Sequence, residues 1–126
     1  MAKAKTGNKK PAKKSHFLIG IVEGNIQVAF SIAKILEANG FKTFQTFDAN
    51  DAIKTAKREK PDLLIVDIRL DGITGYDVAR ALPDYKILFL KGFDGDELKI
   101  KSFKNAIGVL DMPLNSEELM RCVGKL

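Results

Sequence analysis

Five short apolar runs alternate with stretches of helical apolar spacing along this chain. A continuous apolar run of four to eight residues is typical of a strand that is covered on both faces. Strands that alternate with helices predict an α/β fold, in which a five-stranded parallel sheet is doubly wound with helices on both faces. The runs span residues 17–22, 41–47, 63–68, 87–90 and 106–110.

The second run, 41–47, is more polar than the others and suits a strand at the edge of the sheet. Crossovers between parallel strands are right-handed, which leaves few possible arrangements. The sequence therefore predicts the strand order 2-1-3-4-5.

Pairs of residues three positions apart resemble capping boxes and predict where the last three helices begin. We expect the second of these helices to carry Leu98 and Phe103, and the last to bury an apolar face that includes Cys122. The pairs are Thr74 with Asp77, Asp94 with Glu97, and Asn115 with Glu118.

Cys122 is the single cysteine of the 126-residue chain, which excludes an internal disulfide and a metal site built from several thiolates. We expect it in the core beside Leu119, Val123 and Leu126, which share its helix face. The single histidine, His16, is predicted to be inert.

The net charge of +5 is distributed unevenly along the chain. Residues 1–15 hold six lysines and no acid, so residues 16–126 keep 15 basic and 16 acidic residues, a net charge of −1. The composition predicts a disordered Lys-rich tail at 1–15 and one domain at 16–126. The tail is either a solubilising arm or a contact for nucleic acid or another polyanion.

No apolar stretch is long enough to span a membrane, and the first twenty residues lack the apolar block of a secretory signal. These features, together with the lone cysteine, predict a cytoplasmic location without a membrane partner.

Ligands of doubly wound sheets bind at the carboxyl ends of the strands. Glu23 follows the first predicted strand, Asp67 ends the third and Lys91 follows the fourth. We expect these two carboxylates and the lysine to converge at one edge of the sheet.

From about His16 to Leu126 the sequence resembles the receiver domain of two-component response regulators, which has a flavodoxin-like fold. The resemblance implies that Asp67 accepts a phosphoryl group from a histidine kinase. It also implies that Glu23, Asp67 and the backbone carbonyl of Arg69 hold Mg²⁺. The segments that carry it are LIGIVEGN, PDLLIVDIRLDGITGYD, ILFLKGF and GVLDMPLNSEEL.

Four positions depart from the family's usual residues. Gly24 replaces the second acid of the metal site, Lys91 replaces a Ser or Thr, Val109 replaces an aromatic residue and Met112 replaces a lysine. We expect Mg²⁺ binding to be weakened and any phosphoryl transfer to Asp67 to be slow, so the protein is not predicted to be an enzyme. The Met112–Pro113 bond is predicted to be cis, as it often is in the family.

Lys91 suggests a compensation for the lysine that Met112 replaces. We hypothesise that the Lys91 ammonium reaches Asp67 and replaces the missing lysine from a different strand. In the alternative, Lys91 points into solvent.

The sequence is identified as an atypical, stand-alone receiver that signals by contacting a histidine kinase or another signalling protein. The family commonly uses the face formed by the fourth helix, the fifth strand and the fifth helix for such contacts. The alternative function is a phosphorylation-independent scaffold whose basic tail binds a polyanion.

Overall fold

The computed structural model describes residues 16–93 and 95–124. The predicted disordered tail at 1–15 lies outside the described residues, as do Asp94 and Leu126. The elements, in chain order, are β1 (Leu18–Val22), α1 (Ile26–Ala38), β2 (Lys42–Thr46), α2 (Ala49–Glu59), β3 (Leu63–Asp67), α3 (Gly75–Ala81), β4 (Ile87–Lys91), α4 (Glu97–Lys101), β5 (Ala106–Asp111) and α5 (Ser116–Val123).

The strands form one parallel sheet in the order β2-β1-β3-β4-β5, which confirms the predicted fold and strand order. The more polar strand β2 lies at an edge, as its composition predicted. Strand β3, whose first four residues are buried, lies at the centre, where helices cover both of its faces.

Two apolar clusters cover the two faces of the sheet. The first packs α1 and α5 against one face, and the second packs α2, α3 and α4 against the other. Side chains of β3 alternate between them, with Ile65 in the first cluster and Val66 in the second. This alternation fixes the side of the sheet on which each residue at a strand end emerges.

Local capping signals identified two of the three predicted helix starts correctly. The Asp77 carboxylate accepts a hydrogen bond from the Thr74 N–H at 3.0 Å. The Asn115 Oδ1 atom accepts one from the Glu118 N–H at 3.0 Å. Cys122 is half-buried against the first cluster, which confirms its predicted place in the core.

The prediction for the helix after β4 was wrong in its start and its length. Its N-cap is Asp96, whose side chain accepts from the Lys99 N–H at 3.1 Å, and the helix ends at Lys101. Phe103 therefore lies beyond the helix, packed against the second cluster. The start is displaced because contacts to Lys91 of β4 and Tyr76 of α3, described below, position this segment.

Among the described residues, no helix is both long and apolar enough to cross a membrane.

Candidate functional site

Two carboxylates meet at the carboxyl edge of the sheet. Glu23 directly follows β1, and Asp67 is the last residue of the adjacent strand β3. Val22 and Val66 are register partners in these strands, so the residues that follow them are also neighbours. The predicted convergence of Glu23 and Asp67 follows from this register.

Glu23 is held by the turn that leads into α1. Its Oε2 atom accepts a hydrogen bond from the Asn25 N–H at 2.9 Å. The Asn25 side chain caps α1 by accepting from the Val28 N–H at 3.1 Å, so one residue both starts the helix and orients the carboxylate. The Oε1 atom of Glu23 is buried and has no hydrogen-bond partner among the described residues.

Asp67 is half-buried and is held in a similar way. Its Oδ1 atom accepts a hydrogen bond from the Arg69 N–H at 2.8 Å. The loop after β3 returns closely against the strand end, because the Gly75 N–H donates to the Ile68 carbonyl at 2.9 Å. A Cβ atom at Gly75 would overlap the Asp67 backbone carbonyl, so this close return depends on glycine.

The proximity of the two carboxyl groups changes the protonation of Glu23. Burial and, next, the adjacent Asp67 carboxyl raise the pKa of Glu23 from 4.5 to about 7, and this net value includes the opposing effect of the Asn25 N–H. Glu23 is only 5 % exposed, so water does little to offset the repulsion. The carboxyl groups of Glu23 and Asp67 are therefore more stable when they share either a proton or a cation.

The donor set fits a magnesium ion with incomplete protein coordination. The unpartnered Oε1 of Glu23 is a buried oxygen beside a second carboxylate, that of Asp67. Mg²⁺ in proteins is often bound by one or two carboxylates, with water completing the octahedron. Among the described residues, no group of three or more His, Cys, Asp or Glu side chains is placed to hold a metal.

Lys91 does not join these carboxylates. Its ammonium lies 2.7 Å from Asp111 Oδ1 and 3.7 Å from Glu97 Oε2. The hypothesis of a pair with Asp67 was wrong, and so was the alternative of a lysine in solvent, since the Lys91 side chain is only 16 % exposed.

Strand alternation explains why Lys91 turns away from Asp67. Lys91 is two residues after Phe89, which belongs to the second cluster, whereas Asp67 is two residues after Ile65, which belongs to the first. The two side chains therefore leave the sheet on opposite faces. Asp111, two residues after Val109, emerges on the same face as Lys91.

The other three altered positions, Gly24, Val109 and Met112, carry no charged side chain. Met112 packs against the first cluster and Val109 against the second. The Met112–Pro113 peptide bond is cis. Gly24 is exposed, and a Cβ atom there would meet nothing closer than the Phe47 carbonyl oxygen at 3.8 Å.

Sequence reasoning missed two side chains that organise this edge of the sheet. Asp111 pairs with Lys91, and a signal for this existed, because both residues end neighbouring strands in the predicted order. The Tyr76 hydroxyl accepts a hydrogen bond from the Asp96 N–H at 3.0 Å, and no local pattern indicates this contact.

Comparison with known proteins gives a consistent picture. Residues 19–123 match the family model described as "Response regulator receiver domain". The chain is 33 % identical over 64 residues to the polar-differentiation response regulator DivK of Brucella anthropi, with 51 % of this chain and 52 % of DivK covered. It is 35 % identical over 54 residues to the alkaline phosphatase synthesis transcriptional regulatory protein PhoP of Bacillus subtilis, with 43 % of this chain and 22 % of PhoP covered. The matches thus span about half of these relatives or less.

Solved structures share the fold over most of the chain. The N-terminal domain of a response regulator/sensory box/GGDEF three-domain protein from Carboxydothermus hydrogenoformans superposes with a TM-score of 0.77 at 26 % identity, covering 86 % of this chain and 91 % of that chain. The chemotaxis protein CheY4 of Vibrio cholerae gives a TM-score of 0.78 at 19 % identity, covering 86 % and 97 %. The second likeness concerns the fold alone.

Proposed function

The chain belongs to the receiver domains of two-component response regulators, and from this premise we propose that Asp67 is its phospho-acceptor. Receiver domains are signalling modules that interact with histidine kinases and other signalling proteins. The observation that carries the proposal is the Asp67 carboxylate, which ends the central strand half-buried, with one oxygen fixed by the Arg69 N–H.

In the proposed reaction, an Asp67 carboxylate oxygen attacks the phosphorus of a phosphohistidine or of a small phosphodonor. The new O–P bond forms as the bond from phosphorus to the donor breaks, and the hydrogen bond to Arg69 keeps the carboxylate oriented. The transfer is slow, because Lys91 points away from Asp67 and Met112 offers no cation to the phosphoryl oxygens. The protein is thus not an enzyme beyond this modification of its own side chain.

Receiver domains typically bind Mg²⁺ at the phosphorylation site. In this chain Glu23, Asp67 and the backbone carbonyl of Arg69 would hold the ion, which would offset charge on the phosphoryl group. Binding is weak, since Gly24 supplies no carboxylate and Glu23 must first lose its proton.

We place the partner contact on the face formed by α4, β5 and α5. Large apolar side chains are exposed on or beside these elements, and such patches mark interaction sites. Phe93 precedes α4 and is fully exposed, Leu98 on α4 is 82 % exposed, and Ile107 on β5 is 37 % exposed. This arrangement suits a histidine kinase or another signalling protein.

The test is to incubate the full chain with Mg²⁺ and acetyl phosphate and to measure its intact mass. We expect one added phosphoryl group, which the Asp67→Asn variant does not acquire. The matched control is Asp71→Asn, an exposed acid of the same loop that should leave the modification unchanged. No modification of the unaltered chain at high phosphodonor concentration would overturn the proposal.

A second candidate function is a phosphorylation-independent interaction module. The Lys91–Asp111 pair favours it, because a lysine bound to Asp111 cannot respond to Asp67 as the family's hydroxyl does. Contact of the basic tail with nucleic acid or another polyanion stays a prediction. A chain lacking residues 1–15 should lose salt-sensitive DNA binding if the tail makes that contact.

A further inference from the structure

Lys91 joins three elements at the carboxyl edge of the sheet. Its ammonium contacts Asp111, the last residue of β5, and Glu97, the first residue of α4. Lys91 and Asp111 are register partners in adjacent strands, and the Met112 N–H donates to the Lys91 carbonyl at 2.8 Å. The two ion pairs of Lys91 therefore connect α4 to the hydrogen-bonded strands β4 and β5.

Gly95, which precedes α4, packs against the aliphatic part of Lys91. A Cβ atom at Gly95 would overlap the β, γ and δ carbons of Lys91, so the backbone of Gly95 lies directly against this side chain. This packing leaves the Lys91 side chain only 16 % exposed, although its acidic partners are 64 % and 75 % exposed.

Asp96, the residue that follows Gly95, is held by a contact to α3. Its N–H donates to the Tyr76 hydroxyl at 3.0 Å. Tyr76 is 7 % exposed and stacks on Phe103 at a centroid distance of 5.9 Å, so the hydroxyl projects from packed aromatic side chains. The start of α4 is thus fixed at two consecutive residues, Asp96 by the core and Glu97 by Lys91.

These contacts determine where α4 lies, because the helix has little stability of its own. It is five residues long, far shorter than a helix that persists alone in water. Ile100 is its only side chain buried in the second cluster. The position of α4 and of the loop before it therefore depends on the contacts at its first residues.

We propose that Lys91 is an electrostatic latch, which acts with Asp111 and Glu97 to hold Gly95 and α4 in one arrangement irrespective of phosphorylation at Asp67. The latch requires only the contacts described above and does not rest on Asp67 being an acceptor. It fixes the positions of Phe93 and Leu98, two of the large apolar side chains that are exposed.

The effect of the latch is local. Because both acids are exposed, water and salt compete for them, and a surface ion pair adds little to global stability. Removing the charge should therefore increase opening of the loop and α4 while β1 and β3 keep their protection.

The test is amide hydrogen exchange of the full chain without a phosphodonor. Lys91→Met keeps an apolar stem but removes the charge, and Asp111→Asn removes the closer partner. We expect exchange across 95–101 to be about two- to fivefold faster in each variant. The double variant should differ little from Lys91→Met alone, since Lys91→Met already removes the ion pairs with both Asp111 and Glu97. The matched control is Lys86→Met, at an exposed lysine just before β4, which should leave this segment unchanged.

Salt provides a second measurement, in which the unaltered protein itself is perturbed and Lys91→Met is the reference. Raising NaCl to about 1 M should speed exchange across 95–101 in the unaltered protein and have little effect in Lys91→Met. Unchanged exchange in both single variants, or an equal salt response in the unaltered protein and Lys91→Met, would overturn the latch.

Discussion

Glu23 carries an acid–base property that makes folding depend on pH. Burial and the adjacent Asp67 raise its pKa from 4.5 to about 7. Between these two values the folded protein keeps a proton that the unfolded chain has lost, so increasing pH favours unfolding. The cause is the cost of ionising a carboxyl group that is only 5 % exposed beside a second carboxyl.

We predict that the contribution of Glu23 to the free energy of unfolding falls by up to about 3 kcal/mol as pH rises from 4.5 to 7. The Glu23→Gln variant cannot titrate and should lose this part of the pH dependence. Thermal unfolding in EDTA across this range measures the effect, with Glu117→Gln on the exposed start of α5 as the control. An equal slope in Glu23→Gln and the unaltered protein would contradict the assignment.

Gly24 offers a way to add a carboxylate to the proposed Mg²⁺ site. Its φ lies outside the left-handed region and open space surrounds the position, so a side chain fits without strain. Gly24→Asp should tighten Mg²⁺ binding about tenfold, because a third carboxylate attracts the ion.

Calorimetric titration with Mg²⁺ measures this gain, and Gly24→Asn is the uncharged control of similar shape. Without the metal, Gly24→Asp should melt below the unaltered protein, because its new charge adds to the repulsion around Glu23. Equal Mg²⁺ affinity in the Asp and Asn variants would contradict the proposed site.

At the scale of elements, Asn105 connects the end of α3 to the segment before β5. Its Nδ2 atom lies within 3.0–3.3 Å of the carbonyl oxygens of Ala79, Leu82 and Tyr85. The backbone carbonyl of Asn105 accepts a hydrogen bond from the Ile87 N–H at 2.9 Å, at the start of β4. One amide side chain therefore holds the turn between α3 and β4.

Replacing Asn105 by Asp should lower the free energy of unfolding by about 1–3 kcal/mol, because three carbonyl oxygens lose their donor and face a carboxylate. Chemical denaturation measures the loss. Asn50→Asp, at an exposed position in the first turn of α2, is the control and should be near neutral. A loss no greater than that of the control would show that the turn does not depend on this side chain.

The helices differ in how far local sequence determines them. The starts of α3 and α5 were predicted from Asp77 and Asn115, since a cap is a contact within four residues. The start of α4 could not be predicted in this way. It depends on Tyr76, twenty residues earlier, and on a lysine in a neighbouring strand.

For the molecule as a whole, the strand order was predictable because strands that are buried on both faces are more apolar in sequence than edge strands. Runs such as residues 63–66 are apolar throughout, while the edge strand β2 is more polar. The meeting of Glu23 and Asp67 followed from the same order, since carboxyl ends of adjacent parallel strands are neighbours.

The partner of Lys91 required information that strand order alone does not contain. Asp67 and Asp111 end the two strands adjacent to β4, and only the face on which each side chain emerges distinguishes them. That face depends on the register of each strand, and a shift of one residue reverses it.

We propose that this receiver keeps its acceptor carboxylate, Asp67, while α4 is held by Lys91 instead of by a hydroxyl that follows the phosphoryl group. Hydrogen exchange with mass spectrometry on the full chain, before and after treatment with acetyl phosphate and Mg²⁺, tests both parts in one measurement. We predict that the peptide containing Asp67 gains a phosphoryl group while exchange across 92–101 stays the same. An unmodified Asp67 peptide would contradict the proposed phosphorylation. A clear change of exchange across 92–101 upon phosphorylation would contradict the proposed latch.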